Sequence, residues 1–70
     1  MTLRPKRINV PVTAEVVKAL ELIMENEQIG LAEAVRRLIG YGDFVYRAVK
    51  QDNAEVLLRE GEHLREIVLI

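Results

Sequence analysis

"KRINVPVT", residues 6–13, decides how the rest of the chain is read. Apolar Ile8, Val10 and Val12 alternate with Arg7, Asn9 and Pro11, the period-two pattern of a strand with one dry and one wet face. From Thr13 to about Lys50 the apolar residues have helical spacing instead. A strand in this position has no neighbour in the first half of the chain, and its backbone groups need a partner.

Thr13 stands where a helix N-cap belongs, and Ala14 and Glu15 suit a first turn through propensity and the helix dipole. Val16, Val17, Leu20, Ile23 and Met24 recur at the spacing of one apolar stripe, with Lys18, Glu21 and Glu25 off it. "NEQIG", residues 26–30, interrupts the pattern, and Gly30 caps a second helix without the hydroxyl a serine would bring. Leu31, Ala34, Val35 and Leu38 form the next stripe, which Phe44, Val45 and Ala48 prolong to about Lys50. Gly40 and Gly42 lie inside this helix, each costing about 1 kcal/mol relative to alanine. The spacing predicts a helix that continues through both, with glycines that permit close packing.

"QDNA", residues 51–54, is a polar connector. Beyond it the sequence predicts a hairpin: a strand over Glu55–Arg59, a turn at Glu60, Gly61 and Glu62, and a strand from about Leu64 to Ile70. The chain therefore divides into residues 1–50, with the strand and both helices, and residues 51–70, a C-terminal β-hairpin extension.

Seventy residues make one small domain, near the lower limit at which a single chain buries enough surface to fold. There is no cysteine and only one histidine, so disulfides and a metal knuckle are not the remedy, and association is the expected one. No cofactor or metal is expected. No apolar run approaches the roughly 18 residues of a membrane span, and "MTLRPKR" lacks the apolar core of a signal peptide, so a cytoplasmic chain with no membrane partner is expected. Net charge is −1, but it is unevenly placed: residues 1–13 carry Arg4, Lys6 and Arg7 and no acid. The rest of the chain holds seven bases against eleven acids. The basic footprint is thus the segment around the first strand.

Two copies related by a two-fold axis give the first strand its mate, each pairing antiparallel with the other. Ile8, Val10 and Val12 would face the helices, joined in a dimer core by Leu20, Val35 and Leu38, and Arg7, Asn9 and Pro11 would point outward from both chains. A two-stranded ribbon has the width of the DNA major groove. "RINVPVTAEVVKALELI…IGLAEAVRRLIGYG" resembles the ribbon-helix-helix proteins, the dimeric bacterial, archaeal and phage DNA-binding group that includes the Arc and MetJ repressors. The resemblance spans residues 6 to about 40, and the long second helix with its C-terminal hairpin resembles a subset of that group. It implies an α+β fold: an intermolecular antiparallel ribbon, two helices per chain and a C-terminal hairpin.

The resemblance also implies a double-stranded DNA partner. The strand readers carry over onto Arg7, Asn9 and Pro11. Arg7 has the fork for guanine O6 and N7 and Asn9 the amide for adenine N6 and N7, each pair worth roughly 1–3 kcal/mol of discrimination. Pro11 departs from the pattern, offering only apolar contact to a thymine methyl. Arg4 and Lys6 are phosphate contacts that set register. A second phosphate clamp maps onto Gly30, Leu31 and Ala32 at the start of the second helix, where Glu33 opposes an anion.

Other residues have plainer readings. Arg37 is placed to pair with Glu33 at i, i+4, and Arg36 to be solvated or on a phosphate. His63 has no partners at ligand spacing, and no nucleophile–base pair or phosphate loop is present, so an enzyme is not expected. The hairpin is read as a lid over the helices, as an edge linking dimers along DNA, or as a dock for a partner protein by strand addition. The function expected is a sequence-specific transcriptional regulator, a repressor by operator occupancy. The alternative is a protein-interaction module, an antitoxin or phage protein binding a host or cognate protein.

Overall fold

The computed structural model describes residues 7–70. The order of elements is α1 (Ala14–Glu27), α2 (Leu31–Lys50), β1 (Val56–Glu60) and β2 (His63–Ile67), an α+β chain of two helices and one antiparallel pair.

Thr13 caps α1 as its position requires: its backbone is extended and its Oγ1 accepts from the Val16 N–H at 3.3 Å. The helix ends on Gln28, which adopts the left-handed conformation with φ 53° and ψ 52° and donates its N–H to the Met24 carbonyl. Ile29 N–H donates to the same carbonyl at 3.2 Å, and the Gln28 side chain donates to the Glu25 carbonyl at 2.7 Å. These bonds satisfy carbonyls the last turn would leave free. Three residues then turn the chain into α2.

Gly30 caps α2 with no side-chain hydrogen bond, and its carbonyl accepts from Ala34 N–H at 3.0 Å. The helix runs unbroken through Gly40 and Gly42 for 20 residues. Asp43 and Arg47 pair at 2.9 Å, acid before base at i, i+4, the arrangement that also suits the helix dipole. Past Lys50 the chain reverses through Asn53, at φ 53°, and Ala54 N–H reaches back to the Ala48 carbonyl at 2.8 Å.

The hairpin differs by a residue from the sequence expectation. β1 is Val56–Glu60 and β2 is His63–Ile67, paired Val56↔Ile67, Leu58↔Arg65 and Glu60↔His63, so the loop is only Gly61 and Glu62. Gly61 has φ +59° and Glu62 is not among the positive-φ residues. Positive φ at the first central position alone is the type II′ pattern, whose twist matches the strands. Val68–Ile70, expected to prolong the strand, lie beyond the ladder.

Residues 7–13 take no part in this sheet and form no ladder with any other described residue. Burial is correspondingly thin, Ala34 alone being fully enclosed among the described residues.

Candidate nucleic-acid interface and association face

Several of the exposed apolar side chains meet in one place. Ile8, Val10 and Val12 form one wall of an open apolar trough of about 690 Å³. α1 supplies Val16, Ala19 and Leu20 to it, and α2 supplies Leu31, Val35, Leu38 and Ile39. The trough exists because three apolar patterns converge: period two in residues 8–12, and period 3.6 in each helix. Ile8 is 65% exposed, Val10 67% and Ile39 65%.

All six residues expected in a dimer core, Ile8, Val10, Val12, Leu20, Val35 and Leu38, therefore share one face of the protomer. Four more lining residues, Val16, Ala19, Leu31 and Ile39, were missed. Val16 was legible in the α1 stripe, and Ile39 sits four residues after Val35, the spacing of a shared face. Leu31 belongs both to the α2 stripe and to the expected phosphate clamp, and its side chain enters the trough.

Arg7, Asn9 and Pro11 alternate with the trough residues and are absent from its lining; all three are exposed. The expected phosphate contacts Arg4 and Lys6 lie outside the described residues. The second expected clamp begins at Gly30, and the N–H groups of Leu31 and Ala32 in the first turn have no intrahelical acceptor.

Glu33, the residue expected to oppose an anion at that helix start, is itself ion-paired. Its carboxylate accepts from Arg37 Nε and from Arg36 Nη1, each at 3.1 Å. Hydrogen bonds first from Arg37 and then from Arg36 hold the Glu33 carboxyl below its ordinary range, while Arg37 is raised by its bond to Glu33. Arg37 Nη1 also donates to Glu27 Oε1 at 3.2 Å. The acid is thus matched locally by two guanidinium groups.

Among the described residues, no three His, Asp or Glu side chains converge as a metal site, and no helix is long and apolar enough to cross a membrane. No protein-family model matches this chain, and neither does any curated protein or solved structure.

Proposed function

We propose that the chain is a homodimeric, sequence-specific DNA-binding regulator of the ribbon-helix-helix kind, acting as a repressor by occupying its operator. One observation carries the reading: Ile8, Val10 and Val12 close a trough with both helices while the segment holding them has no ladder partner among the described residues. A second copy meets both needs at once. Its segment 8–12 completes an antiparallel ribbon, and its helices cover the trough. A two-fold axis perpendicular to the ribbon keeps equivalent residues on the same side. Arg7, Asn9 and Pro11 of both chains then form one outward ridge, and Arg7 and Asn9 read base edges in the major groove. Arg4, Lys6 and the start of α2 at Gly30, Leu31 and Ala32 hold phosphates.

The test begins with selection of bound duplexes from a random pool, and then titrates the winning sequence against salt. Affinity should fall steeply as salt rises, because each phosphate contact releases counterions. Arg7→Ala with Asn9→Ala should erase the preference for the selected sequence, each reader being worth roughly 1–3 kcal/mol. An enriched sequence still preferred by the double variant would remove the strand from base reading. Failure to enrich any duplex would favour the protein-interaction alternative.

A further inference from the structure

We propose that the outer face of the β1–β2 hairpin is a second self-association surface, occupied by the same face of another copy of this chain. The register sets out its four corners. Leu57 pairs with Glu66 and Arg59 with Leu64, and cross-strand partners two residues apart along a strand share one face of a ladder. Leu57 and Leu64 therefore lie on one diagonal of a square, and Arg59 and Glu66 on the other.

The two leucines are 48% and 53% exposed. The two charges face leucines across the strands, and neither makes an ion pair within 4.0 Å among the described residues. The opposite face of the hairpin is not a square of this kind: Arg65 and Glu60 pair with each other there, Val56 and Ile67 are half-buried, and Leu58, 43% exposed, lies across from Arg65.

Such a square is complementary to itself. Rotation by half a turn about the Leu57–Leu64 diagonal lays Leu57 on Leu57 and Leu64 on Leu64, and brings Arg59 of each copy over Glu66 of the other. Two leucine contacts and two opposite-charge contacts form together, the isologous pattern that a two-fold interface requires. A different protein would need a matching square of its own, whereas a second copy supplies it by symmetry. No trough residue belongs to the hairpin, so the two surfaces operate at once. Trough-joined dimers are linked through their hairpins into tetramers or longer runs. The surface stands on the hairpin's own register and does not require that the chain bind DNA.

The experiment is sedimentation of the full chain over a concentration series, with helix content checked for each variant. The wild type should reach tetramer or larger. Arg59→Glu should stop at dimer, as should Glu66→Arg, each weakening the second association by on the order of tenfold or more through two like-charge contacts. The double variant, with the charges exchanged, should recover it. Ile39→Asp, an exposed change in the trough, separates the two surfaces. A wild type that never exceeds dimer, with Arg59→Glu still dimeric, overturns the hairpin surface. Single variants that weaken assembly without recovery in the exchange overturn the pairing of Arg59 with Glu66. A dimer that survives Ile39→Asp and is lost in Arg59→Glu supports the hairpin and fails the trough.

Discussion

Arg37 in α2 donates to Glu27, the last residue of α1, at 3.2 Å, and so links the two helices across the three-residue turn. The same guanidinium donates through Nε to Glu33 one turn earlier in its own helix. One side chain thus joins the end of one helix to the start of the next, at the place where a phosphate is proposed to sit. All the partners are solvent-accessible, so screening by salt weakens the link.

The Glu33 carboxyl makes that link sensitive to pH. Its folded pKa is depressed below the ordinary value of 4.5 by the Arg37 and Arg36 hydrogen bonds. A depressed carboxylate contributes stability above its unfolded pKa and loses it as pH falls through the folded one. Glu33→Gln should therefore melt below the wild type at neutral pH, and the gap should close on acidification below pH 4.5. Thermal melts from neutral to acid check this; a gap that does not change with pH would show that Glu33 matters for some reason other than its charge.

Thr13 joins the proposed ribbon to α1, and its hydroxyl holds the Val16 N–H. Thr13→Ala should cost about 1 kcal/mol in urea unfolding, with Thr13→Ser restoring nearly all of it. A loss in both variants would point to the methyl group and not to the cap.

The helices were legible in the sequence because their signals are local. A threonine cap, an apolar stripe and an i, i+4 acid–base pair are decided within a turn or two, and α2 passes through Gly40 and Gly42 as its stripe implied. The Glu27–Arg37 contact was not legible, since it spans ten residues and depends on Gln28 turning left-handed. The hairpin register slipped by one because Val56, Leu57 and Leu58 are all apolar and do not alternate, so only the loop specifies which side chain faces where. A glycine at positive φ makes the two-residue loop, and that choice sets Leu57 and Leu64 on the outer face. For the candidate site, the alternation in residues 7–12 and the stripes of the two helices identified most of the side chains that enter the trough, whereas Ala19 and Ile39, at the margins of those stripes, needed the packing of the helices.

Gly40 and Gly42 should respond differently to alanine. An added Cβ meets nothing within 4 Å at either position in the protomer. At about 100° per residue, Gly42 falls on the stripe of Val35 and Leu38, and Gly40 falls on the far side of the helix. Gly40→Ala should stabilise by about 1 kcal/mol, the propensity difference in a helix interior. Gly42→Ala should gain less, because its face is the one proposed to receive a second copy. Equal gains in denaturant unfolding would mean that no other chain approaches Gly42.

Trough coverage has a thermodynamic consequence that separates a pair of chains from a solitary one. With Ala34 alone fully enclosed among the described residues and Ile8, Val10 and Ile39 each about two-thirds exposed, the protomer has little apolar burial to set against its conformational entropy. Covering those side chains by a second copy makes folding and association one equilibrium, so the unfolding midpoint must rise with protein concentration. A hundredfold increase in concentration should add about 2.7 kcal/mol per mole of dimer, the mass-action value for that ratio. Ile39→Asp places a charge in the trough at a residue that is open in the protomer, so the loss it causes belongs to association. It should move the midpoint down and need far higher concentration to recover the wild-type signal. Circular dichroism melts at several concentrations, read beside sedimentation, check both statements, and a midpoint independent of concentration would leave the trough without a second copy.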